Sequence, residues 1–117
     1  MHALIVLAHP EPRSFNAGLK DVARTALEGQ GHRVEVSDLY AEGFNPVEGP
    51  EHYRNRESAE VFSPLGEQRH AWNNDSLPAD VRREIDRLER AELVILQFPL
   101  WWHAQPAILK GWFGAPG

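Results

Sequence analysis

Six consecutive apolar residues, Ala3-Leu4-Ile5-Val6-Leu7-Ala8, lie at the start of the chain and stop at His9-Pro10. A run without polar alternation reads as a strand covered on both faces, the condition of a parallel sheet between helices. Pro10 and Pro12 keep the next loop out of helix. Ser14 is then a good N-cap. Phe15, Leu19, Val22, Ala23, Ala26 and Leu27 recur at helical spacing until Gly29-Gln30-Gly31 ends the pattern. Val34, Val36 and Leu39 alternate with Arg33, Glu35 and Ser37, predicting a second, half-exposed strand. Strand, helix, strand with short connections is a βαβ unit, with parallel strands and a right-handed crossover.

Between Tyr40 and Leu77 no period is evident, and Pro46, Pro50 and Pro64 interrupt the stretch. The pattern returns with Ser76 as an expected cap and Pro78 in the first turn of a helix whose inner face is Val81, Ile85, Leu88 and Ala91. Its charged residues, Arg82, Arg83, Asp86, Arg87, Glu89 and Arg90, read as a solvated face. Leu93–Phe98 is a third buried strand, and Pro106 opens another helix running to Phe113. The expected sheet has order 2-1-3, all parallel, with the third strand at an open edge. Further strands are expected after the last helix in related chains.

At 117 residues and 13.3 kDa the chain is one domain or part of one. A net charge of −5 argues against a nucleic-acid or anionic-membrane surface. Without cysteine there is no disulfide framework, thiolate metal site or cysteine nucleophile, and a reducing cytoplasmic location is expected. The opening apolar run is too short to insert across a membrane and lacks the basic leader of a signal peptide. His2, His32, His52 and His70 have no ligand spacing, so no metal is expected.

Two loops carry the chemistry. The loop from His9 to Asn16 ends at a helix start, where open backbone N–H groups and the helix dipole favour an anion. Ser14 and Asn16 add side-chain donors, and Arg13 and His9 can add positive charge. A phosphate suits it, although neither a Walker loop nor a GxGxxG turn is present. The alternative is that Ser14 only caps the helix and His9 only closes the strand. The second loop, Pro99-Leu100-Trp101-Trp102-His103, follows the third strand and suits a flat aromatic ring. Its tryptophans could equally pack in a core or a subunit interface. In a doubly wound sheet, ligands sit at the carboxyl ends of strands where the strand order reverses, so the two loops would share one crevice. Together they suggest a nucleotide-like cofactor, with flavin mononucleotide the best match.

The stretch LIVLAHPEPRSFN, the segments Ser37-Asp38-Leu39-Tyr40 and Phe44-Asn45-Pro46, and the run Gln97-Phe98-Pro99-Leu100-Trp101-Trp102 followed by Pro106-Ala107-Ile108-Leu109-Lys110-Gly111-Trp112-Phe113 resemble the flavodoxin-like NAD(P)H:quinone oxidoreductases, the DT-diaphorase family. The resemblance implies a flavodoxin-like α/β fold, a parallel sheet with helices on both faces, ending here after the third strand and the start of the next helix. Residues 1–117 would be a partial flavin-binding domain. His9, Ser14, Phe15 and Asn16 would hold the phosphate and ribityl side of FMN or FAD. Pro99, Leu100, Trp101, Trp102 and His103 would hold the isoalloxazine ring. The implied reaction is hydride transfer from NAD(P)H as co-substrate to the flavin, then two-electron reduction of a quinone. A homodimer is implied as well, and the apolar groups Trp101, Trp102, Trp112 and Phe113 with the open sheet edge predict a homodimer or higher oligomer that buries them.

The resemblance reaches about halfway through the family's fold. The Thr/Gly-rich loop across the flavin ring, and the Tyr and His pair thought to assist hydride transfer, lie in the other half, so no catalytic residue is assigned and weak turnover is expected. His103 stands where relatives carry an aromatic residue, and Ala104 where glycine is common. Some flavodoxin-like relatives are ancillary subunits regulating potassium-efflux transporters. That role, or an inactive shortened homologue, is the alternative to an enzyme.

Overall fold

The structure, a computed structural model, describes residues 1–47, 57–58, 60–61, 64–74, 76–101 and 104–114. The elements run β1 (His2–Leu7), α1 (Phe15–Gly29), β2 (Arg33–Asp38), α2 (Pro64–Asn73), α3 (Ala79–Arg90), β3 (Leu93–Gln97) and α4 (Ala107–Gly114). The sheet has order β2-β1-β3 with every pair parallel, as the sequence predicts. Ile5 at the centre of β1 lies opposite Val36 on one side and Ile95 on the other.

β1 is buried from Ala3 to Ala8 because each face meets a separate apolar cluster. Ala3 and Ile5 join Val34, with Ala23 and Leu27 of α1 packed against them. Leu4, Val6 and Ala8 join Leu39, Phe44, Ile108, Leu109 and Trp112 beneath α3 and α4. Helices on both faces follow from that uninterrupted apolar run. At Gly31, φ is +88°, a conformation glycine adopts without a Cβ penalty, and it returns the chain from α1 into β2.

Several expectations need correction. On α1, only the Ala23 and Leu27 side of the apolar stripe meets the sheet. Phe15, Leu19, Val22 and Ala26 are exposed, because a three-stranded sheet covers only one flank of that helix. A helix, α2, stands inside the stretch where no period is evident. Leu, Glu, Gln, Arg and Ala give it helix propensity, while few of its residues are buried, so the pattern is weak. It is tied to α3 where Arg82 stacks 5.6 Å over the Trp72 ring. Ser76 does not cap α3. The cap position is Pro78, with no side-chain hydrogen bond, and the Ser76 hydroxyl is buried without a partner.

The charged face of α3 is not simply solvated either. Arg87 donates to the fully buried Ser37 of β2 and to Glu42, at 2.9 and 3.0 Å. Arg90 grips Glu35 through two bonds of 2.9 Å, and His2 reaches the same carboxylate at 2.7 Å. The Arg90 bonds hold the Glu35 carboxyl down at about 2, against the opposing effect of partial burial, with His2 adding to the lowering. Thus the polar face of β2 is covered by arginines, and the alternation that suggested a wet face marks a helix contact.

Candidate functional site

The two loops singled out in the sequence meet at the carboxyl ends of β1 and β3. The His9 ring lies edge-on against Trp101, centroids 5.6 Å apart at 61°. Just beneath, Gln97 at the end of β3 donates from Nε2 to Asn16 Oδ1 at 2.7 Å, and the Ala8 amide donates to the Gln97 carbonyl at 3.0 Å. These bonds hold the start of α1 against the ring-side loop.

On the first loop, the Ser14 amide donates to the Glu11 carbonyl, and Ser14 Oγ accepts from the Ala17 amide at 3.1 Å. Ser14 therefore does cap α1. The backbone N–H groups of Phe15 and Asn16 remain the open donors of the first turn. The Phe15 side chain is 79% exposed and forms an apolar rim rather than core. His9 Nδ1 accepts the Glu11 amide at 3.0 Å, so in the arrangement seen the ring proton sits on Nε2, which is left as a donor. Arg13 adds no free positive charge. Its guanidinium pairs with Glu11 at 3.0 Å, and that bond, with the Arg13 backbone N–H, holds the exposed Glu11 carboxyl below the ordinary carboxylate range.

On the second loop, Trp101 and Ala104 exchange both backbone hydrogen bonds, at 3.0 and 3.1 Å. Pro99 is half-buried, whereas Leu100 is 74% exposed and Trp101 42% exposed. Trp102 and His103 lie outside the described residues. Trp112 departs from expectation. It is buried in the cluster beneath the sheet and adds nothing to an open aromatic surface, while Phe113 beside it stays half exposed.

One feature was missed in the sequence. A cavity of about 320 Å³ opens between the carboxyl ends of β1 and β2, lined by His9, Glu11, Asp38 and Tyr40 among others. The signal for it was the parallel pairing itself, which sets Asp38 opposite Leu7 and so brings the loop after β2 beside the loop after β1. His9 lines this cavity and also meets the Trp101 ring.

Chemically, the crevice joins backbone amides suited to an anion with an exposed aromatic and aliphatic platform. Residues 1–114 match the flavodoxin-like fold family. The chain is 48% identical over 110 residues to the ribosyldihydronicotinamide dehydrogenase [quinone] of Pongo abelii, covering 93% of this chain and 48% of that protein. A crystal structure from Klebsiella pneumoniae superposes with a TM-score of 0.94 at 39% identity, covering 99% of this chain and 45% of that one. The NAD(P)H:quinone oxidoreductase from Methanothermobacter marburgensis superposes with a TM-score of 0.78 at 32% identity, covering 99% and 53%. The chain thus spans about half the length of the proteins it matches.

Proposed function

This chain belongs to the flavodoxin-like fold family, and on that premise we propose that it forms the flavin-binding part of an NAD(P)H:quinone oxidoreductase. The observation that carries this reading is the contact of His9 with Trp101, which sets an anion-suited helix start beside an exposed aromatic loop. The residues present fit FMN or FAD. The open amides of Phe15 and Asn16, and the Nε2 donor of His9, would be the groups that meet its phosphate. Ser14 holds the first turn, and the exposed Phe15 ring shields one side. Pro99, Leu100 and Trp101 would supply the apolar and backbone surface for the ring; Trp102 and His103 are assigned to the ring side by the resemblance alone. A flavin held there would supply the redox chemistry, hydride acceptance from NAD(P)H and two-electron reduction of a quinone. The chain's part is to bind, orient and dry that group. Trp101, Leu100, Phe113 and Val94 on the β3 edge are exposed, and a cytoplasmic homodimer would cover them.

The absorbance spectrum of the purified protein, beside its intact mass, tests the reading. Flavin bands at a ratio near one per chain, or saturable binding of added FMN or FAD, support it. Turnover of NADH or NADPH with menadione separates an enzyme from a flavin-holding regulatory subunit, which would bind without turnover. Absence of flavin binding overturns the reading.

A further inference from the structure

Glu84 on α3 is fully buried, yet it lies away from the crevice. Its Oε1 accepts the indole N–H of Trp112 at 3.0 Å, and Trp112 is itself 4% exposed. Its Oε2 accepts from Arg87 and from Arg83, each at 3.1 Å. Arg87 is in turn fixed to Ser37 of β2 and to Glu42. The carboxylate is therefore anchored to the sheet on one side and holds α4 on the other.

Burying a carboxylate is costly before its partners compensate, and an apolar residue of similar volume often stabilises as well or better. What a buried bond adds is direction. α4 is eight residues long and largely apolar, with Ile108, Leu109 and Trp112 all buried. Apolar packing is non-directional and by itself specifies the rotation of so short a helix poorly, so direction comes from the close approach of Gly111 to Pro46 and from the indole bond. The indole N–H is a donor with one direction, and Glu84 selects one rotation. Turning α4 by one residue step of about 100° would shift its Cα atoms by about 3.5 Å on a cylinder of about 2.3 Å radius. The ring-side loop joins α4 through Pro106, so it would move with the helix.

We infer that Glu84 is a positioning residue, which through Trp112 sets α4 and thereby the end of the ring-side loop that enters it, Ala104 and Gln105. The inference rests on the reading that this loop takes the flavin ring, and it adds a residue that touches no ligand. Glu84→Met and Trp112→Phe each remove the bond, the first at similar volume and the second with loss of part of the buried indole. The affinity of the folded protein for FMN and FAD, measured well below the unfolding midpoint, is expected to fall tenfold or more in each. In the double variant it should fall no further than in Glu84→Met, because the bond to Trp112 is the interaction the two changes share, while Glu84→Met also releases Arg83 and Arg87. A merely structural role would lower the unfolding midpoint and leave affinity within twofold of the parent, and that result overturns the inference. A second measurement needs no flavin. In Trp112→Phe, amide hydrogen exchange in the loop after β3 should quicken while β1 stays protected; unchanged exchange there overturns the coupling. A parent that binds neither FMN nor FAD defeats the reading of the site, and the exchange result then decides the coupling alone.

Discussion

Adding one methyl group at two helical glycines should have opposite effects. Gly18 lies inside α1, and a Cβ built there meets nothing within 4 Å. Gly111 lies inside α4, and a Cβ built there would stand 2.6 Å from Pro46 Cα and closer still to its Cβ and carbonyl oxygen. Both substitutions gain the usual helix preference of alanine over glycine, about 0.5–1 kcal/mol. For Gly18→Ala nothing opposes that gain, so the protein should be stabilised by about that amount. For Gly111→Ala the new carbon falls roughly 1 Å or more inside the ordinary carbon–carbon contact of about 3.5–4.0 Å. The obstacle is proline backbone, which cannot swing aside as a flexible side chain would. Overpacking of this kind costs typically about 1–3 kcal/mol, occasionally more. The clash outweighs propensity, and Gly111→Ala should be destabilised by about 1–2 kcal/mol net. Urea unfolding followed by tryptophan fluorescence reads both, as midpoints displaced in opposite directions with unchanged slopes. Gly111→Ala as stable as the parent would refute the close approach of Pro46 to α4, and with it the packing of the Phe44-Asn45-Pro46 segment against this helix.

Other consequences are testable in the same way. Ser14→Ala removes the hydroxyl that accepts the Ala17 amide and should cost about 1 kcal/mol of stability, read by thermal unfolding. Joined with Asn16→Ala it should also weaken FMN binding, and unchanged affinity in that double variant would show that the phosphate lies elsewhere. Glu35 sits at about 2 when folded, against an ordinary 4.5, so its contribution is present above about pH 4.5 and lost as pH falls towards 2. In Glu35→Gln the acid limb of a stability–pH profile should therefore be shallower than in the parent, and a parallel curve would deny the linkage. Light scattering after size exclusion should give the mass of a homodimer, with a buried contact above about 1,000 Å²; a monomer at micromolar concentration would contradict this assembly.

The fold was legible where burial is simple. β1 needs no partner to be recognised, because six apolar residues in a row are uncommon outside a two-sided core, and order and parallelism follow from the short βαβ links. Legibility failed where a polar residue is buried with company. Glu84 and Ser37 look like surface residues by type, and only their pairing with the half-buried Arg87 shows why they are inside. It failed again on α1, where Phe15 and Val22 carry a core-like period and face outwards. Periodicity reports that a face is apolar, not that this chain supplies what covers it. For α2 the opposite holds, since propensity is present and a clear buried stripe is not.

The motifs behind the family resemblance divide by role once the structure is seen. His9, Ser14, Asn16, Gln97 and Trp101 are at the crevice or bonded directly beneath it. Phe44, Pro46, Gly111 and Trp112 are not. Phe44 and Trp112 share one core cluster, Pro46 lies against Gly111, and the Asn45 amide donates to Asp80 at the start of α3. That second group clamps the loop after β2, the start of α3 and α4 into one body beneath the sheet. A loop such as Pro99–Gln105, tethered to β3 at one end and to α4 at the other, has a defined shape only if α4 does. The second group therefore supports the site mechanically, and its sequence signature is as specific as that of the loops because a close approach to glycine and a directed indole bond each admit few alternatives.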